Sequence, residues 1–91
     1  MSAIVRSEVL EALDRAEARG QKRVRVIVGL HSPESLAAVK GALARLGVKT
    51  VARESQSFLA ARLSRDEIRQ VSQLTQHVRA IWLDRPVSTA Q

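Results

Sequence analysis

A chain of 91 residues, 45% hydrophobic and 26% charged, can bury one small core and leaves little material for a second domain. The absence of cysteine removes disulfides, thiolate metal sites and thiol nucleophiles together. The net charge of +6 raises nucleic acid as a partner, but Phe58 and Trp82 are the whole aromatic complement, and binding of single strands needs several rings for bases to stack on.

The basic excess gathers between residues 24 and 63, where Arg25, Lys40, Arg45, Lys49, Arg53 and Arg62 meet only Glu34 and Glu54. No stretch is purely basic, so composition argues against nucleic acid. The N-terminus carries Arg6 and Glu8 within its first residues, with no apolar run long enough for a signal peptide or a membrane span. A complete chain of this kind is expected to stay in the cytoplasm and off the membrane.

Val5, Val9, Leu13 and Ala16 recur at helical spacing, with Glu8, Glu11, Asp14, Arg15 and Glu17 on the other faces. The spacing predicts an amphipathic helix over residues 3 to 19, capped by Gly20 and followed by a polar hinge at Gln21, Lys22 and Arg23. The β-branched run from 23 to 30 then reads as the first strand, with Val24, Val26 and Val28 on one side.

Ser32, Pro33 and Glu34 together make a helix start: a capping hydroxyl, a proline that gives up no useful N–H, and an acid at the positive end of the dipole. Leu36, Val39, Leu43 and Leu46 form that helix's apolar stripe, and Gly47 ends it. Residues 48 to 54 alternate with the period of a half-buried strand, 54 to 57 break it, and 58 to 63 resume it as the return arm of an antiparallel hairpin.

Ser64 and Glu67 have the spacing of a capping box, and Ile68, Val71 and Leu74 point one way along the helix it opens, which Thr75, Gln76 and His77 close. The run from 78 to 83 is a last strand, stopped by Asp84, Arg85 and Pro86. From residue 22 onward the order is βαββαβ, which right-handed crossovers close into a ferredoxin-like α+β sandwich: a four-stranded antiparallel sheet with two helices on one face. The extra N-terminal helix can cover sheet surface, pack on a strand edge, or pair with another copy. The other sheet face is left open to a partner.

The chain has little to offer catalysis. His31 and His77 each stand at a junction without a surrounding motif, and read as solvated or capping side chains. Metal ligation would need clustered His, Asp or Glu, and phosphate binding a glycine-rich loop, whereas Gly20, Gly29, Gly41 and Gly47 stand singly. Neither enzyme activity, cofactor nor metal is expected.

Three stretches then carry a family likeness: Val24-Arg25-Val26-Ile27-Val28-Gly29-Leu30, Phe58-Leu59-Ala60-Ala61-Arg62-Leu63-Ser64, and Val78-Arg79-Ala80-Ile81-Trp82-Leu83-Asp84-Arg85-Pro86-Val87. In their order and spacing they resemble the propeptide domain of subtilisin-type serine proteases, which is shared with small stand-alone inhibitors. The resemblance covers residues 24 to 86. It divides the chain into an N-terminal helix and hinge (1–21), a propeptide-like inhibitor domain (22–86) and a C-terminal tail (87–91).

The resemblance implies a function. Such domains lay their open sheet face on two surface helices of the protease, run their tail into the active-site cleft like a cleaved product, and can assist folding of the protease. The implied tail here is Pro86, Val87, Ser88, Thr89, Ala90 and Gln91. With Ala90 beside the scissile bond, Val87 fills the apolar pocket three residues before it; with Gln91 there, Ser88 fills that pocket poorly. The first register fits better. The family's acidic residue near the hairpin, which caps the N-termini of the protease helices, corresponds to Glu54, although Ser57 stands where many members have glycine. An excised propeptide of this kind would be secreted or periplasmic. The rival readings are a basic ferredoxin-like nucleic-acid binder using Arg25, Lys49, Arg53 and Arg62, and a homo-oligomer formed through the open sheet or the N-terminal helix.

Overall fold

A computed structural model describes residues 4–48 and 53–84. The elements in chain order are β1 (Ile4–Val5), α1 (Ser7–Ala18), β2 (Arg23–Leu30), α2 (Pro33–Arg45), β3 (Arg53–Glu54), β4 (Phe58–Ser64), α3 (Arg65–Ser72) and β5 (Val78–Leu83). They make an α+β fold with three helices and one five-stranded mixed sheet of order β1-β5-β2-β4-β3, compatible with a ferredoxin-like architecture.

The sheet differs from the expected four antiparallel strands because Ile4 and Val5 leave the helical pattern and pair in parallel with β5, opposite Ala80 and Ile81. The amide of Arg6 donates to the Ile81 carbonyl at 3.1 Å, and α1 starts directly after it, without a side-chain cap. The physical reason lies in β5. It would otherwise be an edge strand with unpaired backbone groups, and two β-branched residues satisfy them better than an uncapped helical turn does. Val5, counted in the helical stripe by its spacing, packs on the core from the strand instead.

Alternation sets the two faces of the sheet. Val24, Val26, Val28 and Leu30 of β2 lie beside Leu63, Ala61 and Leu59 of β4 and Ile81 and Leu83 of β5. They join Val9 and Leu13 of α1, Val39 and Leu43 of α2, and Ile68 and Val71 of α3 in one cluster. All three helices therefore cover the same face. The N-terminal helix settles there against β2 and β5, with Val9 and Leu13 fully buried, each burial contributing about 1.5–3 kcal/mol.

Local chemistry ends the helices. Gly20 and Gly47 take φ of +79° and +87°, the left-handed conformation that favours glycine. The following amides, Gln21 and Val48, donate back to Ala16 and Leu43 at 2.8 and 2.9 Å, so both helices close in Schellman motifs. Val48 packs in the core with Leu43 and is not part of a strand. Of the strand expected over residues 48 to 54, β3 realises Arg53–Glu54, and residues 49–52 lie outside the described residues. The antiparallel hairpin of β3 and β4 forms as its spacing indicated, with Glu54 opposite Leu59.

The third helix is shorter than its apolar spacing suggested. It ends at Ser72, and a hydrogen-bonded turn carries Leu74 to Val78, whose amide donates to the Leu74 carbonyl at 2.8 Å. Its start is the expected capping box. Glu67 N–H donates to Ser64 Oγ at 3.3 Å, and Ser64 N–H donates to Glu67 Oε1 at 2.8 Å. Arg23 of β2 adds a two-pronged ion pair to the same carboxylate, at 3.1 and 2.9 Å.

Ser32 is the N-cap residue of α2, but its hydroxyl makes no cap hydrogen bond. It meets the buried Ser35 hydroxyl at 3.2 Å instead, and Ser35 meets His77 Nδ1 at 3.1 Å. His31 is exposed, whereas the half-buried His77 ties the turn before β5 to the start of α2. The backbone repeats this tie, since the His31 amide donates to the His77 carbonyl at 3.0 Å.

Candidate functional site

The face of the sheet opposite the helices carries the residues that alternate with the core. On β2 these are Arg25, Ile27 and Gly29, on β4 Phe58, Ala60 and Arg62, and on β5 Ala80 and Trp82. Ile27, Phe58 and Trp82 are half-buried, and Ile4 extends the apolar strip at 65% exposure. Glycine at position 29 gives Trp82 its seat. A Cβ added there would come within 2.5 Å of Trp82 Cζ3 and 2.6 Å of Cη2, so the six-membered ring of the indole occupies the space a side chain would need.

Charge borders this strip. Arg53 lies with its guanidinium 5.8 Å from the centroid of the Phe58 ring and donates to Asp84 Oδ1 at 3.0 Å. Arg25 stands 3.4 Å from Asp84 Oδ2, and the Asp84 amide donates to the Arg25 carbonyl at 3.0 Å. The Asp84 side chain is only 6% exposed, so the pair of guanidiniums compensates a carboxylate held out of water. The group links edge strand β3 to the end of β5.

Glu54, expected to act at the hairpin, lies on the opposite side from this strip. Its register partner is Leu59, on the helix-covered face, and Lys40 of α2 holds its carboxylate at 2.9 Å while leaving the side chain 40% exposed. Phe58 and Trp82 are brought together on the open face. The remaining candidates, Pro86, Val87, Ser88, Thr89, Ala90 and Gln91, lie outside the described residues, beyond the point where β5 delivers the chain.

Sequence reasoning assigned Asp84 to strand termination and missed its part in the face. Its partners are remote in sequence and meet it only through the strand register. Alternation of Arg25 and Arg62 with inward-facing valine, alanine and leucine is the one signal that marked the face as basic. Elsewhere, Arg65 at the start of α3 reaches Asp14 and Glu17 of α1 at 2.7 and 3.0 Å, beside a shallow cleft lined by Gly20, Gln21, Lys22 and Asp66. These charges compensate one another.

For chemistry, the nearest approach to a nucleophile and base is Ser35 with His77, but the Ser35 hydroxyl is fully buried and the pair acts as a tie between elements. No group of three His, Cys, Asp or Glu able to hold a metal ion occurs among the described residues, and no helix there is long and apolar enough to cross a membrane. What this arrangement can do is present a rigid, partly apolar platform with an arginine border. No family model, curated protein or solved structure matches the chain.

Proposed function

We propose that this chain is a non-catalytic module that binds a subtilisin-type serine protease through the helix-free sheet face, inhibits it with residues 86–91 lying in the cleft like a product, and can assist its folding. The observation that carries the reading is the open face itself: Ile27, Phe58 and Trp82 form a strip that no element of the chain covers among the described residues. With β1 set aside, the order β5-β2-β4-β3 is compatible with a ferredoxin-like sandwich, the architecture the family resemblance implies.

The energetics favour a platform and a tail acting together. A segment of a few residues loses most of its contact energy to ordering, and a rigid face that is already docked supplies it at high effective concentration. Main-chain hydrogen bonds to the cleft's strands and alternate side-chain pockets then hold it. Glu54, exposed on edge strand β3, is the carboxylate this reading offers to the N-termini of the protease helices; it lies on the helix-covered side, so it has to leave Lys40 and reach past the sheet edge to meet them.

The test is a titration of subtilisin-type proteases with the purified chain, using a chromogenic peptide substrate. Saturable competitive inhibition is expected. Removal of residues 87–91 is expected to weaken it by orders of magnitude and leave residual binding by the face. Inhibition unchanged by the truncation would sink the product-like tail, and absence of inhibition across several such proteases would sink the reading itself.

A further inference from the structure

Arg25 and Arg62 are register partners on neighbouring strands of the open face. Like charges directly opposite each other destabilise a sheet, and the fold has no use for the second one. Arg25 shares Asp84 with Arg53, which reaches in from β3, so one buried carboxylate serves two guanidiniums. Arg62, exposed, has no ion-pair partner among the described residues. The face therefore keeps an uncompensated cationic end next to an apolar strip.

We infer that this face takes an acidic protein surface, one that brings carboxylates to the Arg25 and Arg62 end while apolar side chains cover Ile27, Phe58 and Trp82. The inference rests on the proposed function and adds to it the charge of the protease surface that docks here. Guanidinium forks match carboxylates in two-pronged geometry, and a charged border of this kind mainly raises the rate of encounter. Stacked nucleic-acid bases fit the face less well. Arg53 stands over the Phe58 ring, which leaves Trp82 as the one remaining ring of the chain for a base, and single-strand binding needs several.

The test is Arg62→Glu, with Arg62→Lys as the conservative control, in binding to a subtilisin-type protease inactivated at its catalytic serine. The glutamate faces Arg25 and turns a repulsive pair into an attractive one, so the variant is expected to melt no lower than the parent. Its association rate constant is nonetheless expected to fall about tenfold at roughly 0.01 M salt and to match the parent at about 1 M, where screening acts within about 3 Å. Arg62→Lys should retain the parental rate.

An unchanged low-salt rate for Arg62→Glu, with the parent binding normally, would overturn the acidic-surface inference and leave the proposed function standing. No binding of the parent to any protease tested would overturn both. Tighter binding of the parent to single-stranded RNA than to the protease at matched salt would overturn the inference in favour of nucleic acid.

Discussion

The seat of Trp82 on Gly29 makes the open face accessible to a single-methyl test. In Gly29→Ala, the new Cβ would sit 2.5 Å from Trp82 Cζ3, roughly 1 Å inside ordinary carbon contact. The ring has to lift or swing, and because Trp82 is half-buried on a face without helices it can move outward while the core stays intact. Overpacking of this kind costs about 1–3 kcal/mol, and the stiffer unfolded chain of the alanine variant returns about 0.4–1 kcal/mol. The expected net loss is therefore about 1–2 kcal/mol, and for a domain of this size each kcal/mol lowers Tm by about 4–8 °C. The chain has one tryptophan, so urea unfolding followed by its emission reports the site directly. The folded variant should emit to the red of the parent. In a Trp82→Leu background, with unfolding followed by far-UV circular dichroism, the same substitution should cost nothing measurable. A Gly29→Ala protein with parental stability and emission would refute the placement of the indole on the backbone of β2.

Leu13→Ala in α1 should cost about 2–5 kcal/mol in denaturant unfolding, because the side chain is fully buried in the shared core; a cost below about 0.5 kcal/mol would mean the helix is an appendage. The Glu67 carboxyl is held below its ordinary value near 4.5, first by the Arg23 side chain and then by the Ser64 amide, against an opposing effect of burial. A carboxyl depressed in the folded state contributes stability that is present above the unfolded value and lost as pH falls through the lower folded one. The stability difference between parent and Glu67→Gln should accordingly stay constant above about pH 4.5 and shrink below it; a difference independent of pH down to acid unfolding would contradict the pairing. Lys40→Ala frees the Glu54 carboxylate and should tighten protease binding, whereas Glu54→Ala should weaken it by roughly 1 to 2 kcal/mol; identical inhibition constants for both variants would make Glu54 a turn residue only.

The sequence carried the elements whose signals are local. The capping box of Ser64 and Glu67, the left-handed glycines at 20 and 47, and the β-branched run of β2 lie where their spacing put them, because each depends on neighbours within a few residues. The parallel strand Ile4–Val5 was hidden, since Val5 also fits a helical stripe and only the edge of β5 decides between the two. For the same reason the face was legible and its wiring was not. Alternation exposed Arg25 and Arg62, but the meeting of Arg53 with Asp84, of Glu54 with Lys40 and of Trp82 with Gly29 follows from strand register and from how α2 lies on the sheet. Ser35, an unremarkable serine in a helix, is fully buried through its bond to His77, a pairing that joins segments far apart in the chain.

The most direct test of the proposed docking face uses its single tryptophan. Incorporation of 5-fluorotryptophan places one fluorine on the open face at Trp82, and its NMR resonance can be followed as unlabelled, catalytically inactivated subtilisin-type protease is added. The resonance is expected to shift or broaden saturably, both for the full chain and for a chain ending at Asp84, because the face binds with or without the tail. A resonance that stays unmoved at concentrations where the chain inhibits the active protease would contradict the assignment of this face as the docking surface.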